Sequence, residues 1–492
     1  MRSPRRAIRR PQRPLFPRPR LEGLENRCLL AGNVLQTNLV SDLPGVAQVL
    51  DPHLVNPWGI SESATSPFWI SDNGASLSTL YNTAGAKQAL EVSIPTPDDP
   101  LGASGTPTGT VFNIDGGAAG GFQISGVTSK GDPISASAVF LFATEDGAII
   151  GWNPGVNPTG FDPTKAGTYG IVAVNNSANP SADAGAVYKG LAIATDSGGT
   201  TRLYAANFRS GKIDVFGPDF KPATLPSGAF TDSDLPRGYA PFNVQELGGK
   251  IYVTYAKQDA DKEDDVAGPG HGFVDVFNLD GTPGLAGGKE RLISRGELNS
   301  PWGLAIAPAS FGNLAGSLLV GNFGNGHINA FNATTGAFLG SLKDPDGEPI
   351  QIDGLWALKV GNGGNGGDPN TVYFTAGLDH ENHGLFGSLK PVDPGTPEGP
   401  AEAQMLQAAV DVFQIDLNTL IKDIASGASR DQIKQDVKAV DAAFVALVRA
   451  ELKFAADEGH DLSTHHGHGG DRLSHELEEL FAELRDVLRR LP

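Results

Sequence analysis

The densest group of side chains able to do chemistry is the stretch KQDADKEDDVAGPGHG, Lys257 to Gly272. Asp259, Asp261, Glu263, Asp264 and Asp265 fall within seven residues of one another. Carboxylates this close repel, so they need a cation, raised pKa values or open water. Their alternation matches the opening of a calcium loop, and hard oxygen donors suit Ca²⁺. The glycine and the closing glutamate of an EF-hand are missing, however. The stretch therefore reads as a Ca²⁺ site or as a solvated acidic loop.

Histidine supplies the second pattern. His271, His327 and His383 recur at one place in three successive units, and His380 adds an H-x-x-H spacing. Imidazoles from equivalent positions would meet at one rim, where a transition metal or acid–base chemistry fits. Packing of a turn accounts for them equally well. Near the carboxyl end, HDLSTHHGHGGD carries His460, His465, His466 and His468. A tract so rich in histidine and glycine suits weak Zn²⁺, Ni²⁺ or Cu²⁺ binding, or is simply a polar loop. No G-x-S-x-G elbow and no phosphate-binding loop occurs, and the single cysteine, Cys28, lies in a tail and excludes an intrachain disulfide.

The elements that must position these groups follow from composition and repeat. The 492 residues hold 64 glycines and 35 prolines, with 19% charged residues, which predicts many turns joining short strands. The net charge is −19, and removing the eight arginines of the first twenty residues leaves −27 for the remainder. Such a surface repels nucleic acid and anionic membranes. No run of eighteen apolar residues is present, so no transmembrane helix is expected.

A unit recurs every 50–65 residues or so, the spacing of four-stranded propeller blades. Copies begin at Asn56 (NPWGISESATSPFWISDNG), Ala138 (AVFLFATEDGAIIGWNPG), Tyr188 (YKGLAIATDSGGTTRLYAANF), Ala240 (APFNVQELGGKIYVTYAKQ), Ser300 (SPWGLAIAPASFGNLAGSLLVGNFG) and Ile352 (IDGLWALKVGNGG). Each has two apolar strands around a turn, a polar glycine loop, then an alternating strand ending in an aromatic. Radial packing of six such sheets buries both faces of each and leaves only short edges. The last unit supplies three strands, so the segment 33–42 is expected to provide its outer strand. The fold expected is mainly β, a six-bladed propeller over 33–390. Before it stands a basic arm (1–32), too polar to fold. After it come a proline-rich linker (391–403) and a three-helix bundle (404–492). In that bundle Leu406, Val410, Phe413, Leu417, Leu420 and Ile424 open the apolar stripes. These helices would pack together within one chain or pair between copies.

PWGLAIAP followed by LLVGNFGNGHINAF resembles an NHL-type repeat. The segments LVNPWGI, YKGLAIAT, RLYAANFRSGKIDVF, LNSPWGLAIAP and IDGLWALKVGNG resemble a bacterial family of uncharacterised exported propeller proteins, some with a PEP-CTERM tail that this chain lacks. LEGLENRCLL, from Leu21, resembles the LExLExRxLL segment of planctomycete exported proteins, which implies export to the cell surface or beyond. The propeller resemblance implies one ligand-bearing face. On it Asn56, Lys189, Asn243, Asn299 and Asp353 precede or open inner strands, and Asp72, Glu145, Asn207 and Asn322 end second strands nearby. Related gluconolactonase and paraoxonase propellers hold catalytic calcium with such groups. Equally, Asn and Asp form turns and cap strand ends. The expectation is an exported binding or scaffold protein for a small-molecule, glycan or protein ligand, with Ca²⁺ the candidate cofactor. The rival is a metal-dependent hydrolase or lyase at the channel mouth.

Overall fold

The computed structural model describes residues 33–116, 120–179, 181 and 184–392, together with six isolated positions between 420 and 440. The basic arm, the linker, the His460–His468 tract and nearly all of the expected helices lie outside the described residues.

The described residues form six blades. Blade 1 holds Pro57–Ser61, Phe68–Asp72, Leu77–Tyr81 and Val92–Ser93. Blade 2 holds Pro107–Phe112, Phe140–Thr144, Ala148–Trp152 and Ile171–Asn175. A separate hairpin, Gln123–Val127 with Pro133–Ser137, is inserted after its first strand. Blade 3 has three strands, Tyr188–Thr195, Thr201–Asn207 and Lys212–Phe216. Blade 4 runs Tyr239–Leu247, Lys250–Lys257, Phe273–Phe277 and Arg291–Ser294, and blade 5 Pro301–Ile306, Leu318–Asn322, Ile328–Phe331 and Phe338–Ser341. In blade 6, Leu355–Val360, Val372–Gly377 and His383–Pro391 are joined by Val34–Ser41, which pairs antiparallel with His383–Pro391 from Val34 opposite Pro391 to Ser41 opposite Leu385. The two ends of the ring are thus hydrogen-bonded into one sheet, and the first strand of each blade lies beside the first strand of the next around the whole circle.

The inner strands share a local design. Each shifts register against its second strand across one or two positions, the first of them occupied in turn by Trp58, Thr108, Lys189, Phe242, Trp302 and Trp356. A bulge re-aims the side chain it carries, and all six are buried. The next residue is Gly59, Gly109, Gly190, Asn243, Gly303 or Ala357. Five of the six are glycine or alanine, because the neighbouring inner strand almost touches. A Cβ on Gly59 would lie 2.6 Å from the Thr108 carbonyl oxygen, and one on Gly109 would lie 2.3 Å from the Leu191 nitrogen.

The aromatic members of this ring fill the axis. Trp58 stacks on Trp356 with centroids 3.5 Å apart, Phe323 stacks on the same indole at 4.0 Å, and Trp302 meets both tryptophans edge-on. Such pairs contribute about 0.5–1.5 kcal/mol each beyond area burial. The plug divides the axis into two ends of different character.

Candidate functional site

Lys189 stands where four of the other five blades place tryptophan or phenylalanine, and it is buried. Its ammonium lies 5.2 Å from the Trp58 ring centroid and 6.0 Å from that of Phe208. It donates to Glu145 and, at 3.1 Å, to Asp264. Burial alone would lower its pKa, but the fields of Glu145 and Asp264 outweigh this and hold it above the usual lysine value.

Apart from Asn56, which precedes the first strand of blade 1, the surrounding groups come from the loops between second and third strands. Asn73 donates to Glu145 at 2.8 Å. Asn56 donates to Glu381 at 2.8 Å and to Asn73 at 3.4 Å, and it accepts from the Trp356 indole at 3.0 Å. Phe208 and Phe323 belong to the corresponding loops of blades 3 and 5. Glu381 is delivered by a turn in which Asp379, His380 and Glu381 all have positive φ, 49°, 54° and 68°. Left-handed backbone costs residues bearing a Cβ roughly 1–2 kcal/mol each, and the Asp353 carboxylate caps this turn by accepting from the Asp379 nitrogen at 2.9 Å. Burial pushes the Glu381 carboxyl above its usual range. The nearby charges of Glu145 and Asp264 add to the effect, while Asn56 and Lys189 oppose it. Burial also raises Asp265, beside Ser300.

Of the nine channel-mouth candidates, Asn56, Glu145 and Lys189 meet in this network. The other six do local structural work. Asp72 is fully buried and accepts from the Thr79 amide and hydroxyl. Asn207 donates to Asp214, Asn243 to the Trp302 carbonyl and Asn322 to the Glu297 carbonyl. Asn299 accepts from the Gly268 nitrogen, and Asp353 caps the turn described above.

The acidic loop does not gather its carboxylates. Glu263 pairs with Arg209, Asp264 reaches Lys189, Asp259 accepts from the Glu263 nitrogen, and Asp261 is exposed. The cations that relieve the crowding are side chains of blade 3, which fasten the loop over the mouth. Among the described residues, no group of three or more His, Cys, Asp or Glu is disposed to hold a metal ion.

The repeated histidines act as turn braces. The Nδ1 of His271 donates to the Val266 carbonyl at 2.8 Å, that of His327 to the Ile350 carbonyl at 2.9 Å, and that of His383 to the Asp42 carboxylate at 2.7 Å. His380 is exposed. Sequence reasoning missed Asn73, Glu381 and the three axial tryptophans. The signal for the tryptophans was present in PWG, PWG and LWA at one place in three units.

No family model matches the chain. Two uncharacterized proteins of Acanthamoeba polyphaga mimivirus are each 33% identical over 356 residues, which is 71% of this chain and 78% and 84% of theirs. Among solved structures, a streptogramin B lyase covers 73% of this chain and 97% of its own, at 14% identity and TM-score 0.34. A glucose dehydrogenase covers 73% and 100%, at 13% identity and TM-score 0.40. The similarity to viral proteins overturns the expected membership in a bacterial exported family, with its PEP-CTERM and planctomycete features. Short motifs such as PWG report blade geometry, which unrelated lineages share. The expectation of export rested on that resemblance.

Proposed function

The chain belongs to the family of these mimiviral proteins, whose names assign no activity, and we propose that it is a binding protein taking an organic amine at the charged mouth. The observation that carries this reading is the imbalance around Lys189. Glu145, Asp264, Asp265 and Glu381 surround or adjoin one buried ammonium, and Arg209 is already occupied by Glu263. The surplus negative potential, focused by low-dielectric aromatic walls, favours a second cation. Donors on an amine would meet carboxylate oxygens, and its carbons the Phe323 side of the plug. Calcium, suggested by the acidic loop, is the competing ligand.

Calorimetric titration with spermidine and with CaCl₂ at low salt tests this. Spermidine binding that weakens with salt, and at least tenfold in Glu381→Gln, is the expected result. Binding of Ca²⁺ but not the amine, or of neither, refutes it.

A second reading as a hydrolase or lyase draws support from one feature. Glu381, its carboxyl pushed up, shares a hydrogen-bonded network with Glu145, which is held by Lys189 and Asn73. Carboxyl groups in such unlike settings suit acid and base roles. Turnover on a lactone and ester panel, lost in Glu381→Gln, would favour it.

A further inference from the structure

Five of the blades join their second and third strands with three to five residues, but blade 4 spends residues 258–272 on the same connection. A long insertion in one copy of a repeat is a place where function collects. Its base is pinned by neutral groups. The Gln258 nitrogen donates to the Gly238 carbonyl at 2.8 Å, and its side-chain amide to the Phe208 carbonyl at 2.6 Å. On the return, the Val266 nitrogen donates to the Lys257 carbonyl at 2.7 Å, and the Gly268 nitrogen to Asn299 at 2.6 Å. A bridge between Gln258 and Asp265 closes a small hairpin above this base, within which the Asp259 nitrogen donates to the Asp264 carbonyl at 2.9 Å.

The tip is held differently. Ala260 to Asp264 are all exposed, and Ala260 is the one apolar residue among them. Two ion pairs, both to blade 3, fasten it. Glu263 pairs with Arg209, which is itself braced by the Gly185 carbonyl at 3.1 Å. Asp264, 77% exposed, pairs with Lys189 at 3.1 Å. Pairs with a partner this open to water are weak and are screened by salt. We propose that the hairpin tip is a salt-sensitive latch on the charged mouth. It swings about Gln258 and Asp265 when Glu263 leaves Arg209 and Asp264 leaves Lys189, which uncovers Lys189 and Glu145, and it recloses on a cation that bridges its carboxylates to those of the mouth. The reclosure rests on the amine reading above; the opening does not.

Double electron–electron resonance on the full chain tests this, with Cys28→Ser and nitroxides at Asp261→Cys on the tip and Thr334→Cys in the short turn between Phe331 and Phe338 of blade 5. Both labelled positions are exposed. At low salt the distance distribution should be narrow. It should broaden at about 1 M KCl, where the screening length falls to about 3 Å. Arg209→Met should broaden it at low salt, Glu263→Gln should do the same by removing the other half of that pair, and Arg209→Lys should restore most of the narrow population. Spermidine at low salt should narrow the Arg209→Met distribution again. A distribution that neither salt nor Arg209→Met changes overturns the latch, as does one already broad at low salt with Arg209 in place. Opening without reclosure on spermidine upholds the latch and refutes the amine as its cation.

Discussion

The two ends of the channel are built from the same six inner strands and differ in almost everything else. At the mouth, loops bring together Glu145, Asp264 and Glu381 over a buried lysine. At the far end, inner-strand residues of all six blades line a cavity of mixed character, in which Ile60, Leu191 and Leu358 stand beside Gln245, Glu246 and the Glu62–Lys359 ion pair. The contrast follows from what each element can carry. Inner strands pack edge to edge around the axis, so their positions accept only small or apolar residues and a few balanced polar ones. Loops between second and third strands pack on the plug only through a residue such as Phe208 or Phe323, and elsewhere carry charge. A charged network held on loops is therefore available at the loop end, and a cavity framed by strands at the other.

Perturbations should separate the two ends. The largest effect is expected from deleting residues 33–42. This unpairs His383–Pro391 and opens the ring, so both ends should be lost together, with a fall in thermal unfolding temperature larger than that of any single substitution below. Next, Lys189→Met leaves Glu145 without its buried cation. Removing one partner of a buried pair costs about 3–5 kcal/mol, which chemical denaturation would measure, and the far cavity should keep its shape.

A smaller effect is a pH slope. The folded-state pKa of Glu381 is raised, so the folded protein holds that proton more tightly than the unfolded chain. Stability should therefore fall as pH rises from the ordinary glutamate range through the raised value. Glu381→Gln should flatten that part of the stability–pH profile, whereas Glu62→Gln should leave the Glu381 contribution in place. Smallest of all, Asp264→Asn removes a largely exposed carboxylate and should change stability by no more than about 1 kcal/mol, while still weakening amine binding at the mouth. A large loss of stability instead would mean that the acidic loop holds the ring together and does not merely cover it.

Much of the architecture was legible because its signals are local. Alternation such as that in GKIDVFG and the repeated PWG show strands and their order without reference to distant residues. The inner strand of blade 2, PTGTVF, escaped because threonine takes the place of the aromatic and a hairpin separates it from its partner strand. Of the mouth, Lys189 and Glu145 were legible as loop and strand-end positions. Glu381 was not, because DHENHG draws attention to its histidines, and only the left-handed turn shows the glutamate facing Asn56.

The sequence by itself determined the strands, their repetition and the glycine or alanine after five of the six axial positions, since a chain with these alternations has few other ways to bury its apolar faces. The tertiary structure alone decided which polar groups meet. Asn56, Asn73, Glu145, Lys189, Asp264 and Glu381 come from five blades, up to 325 residues apart between Asn56 and Glu381. They become neighbours only when the ring closes and brings the loops of successive blades over the bulged strand that carries Lys189, which no local pattern of residues records.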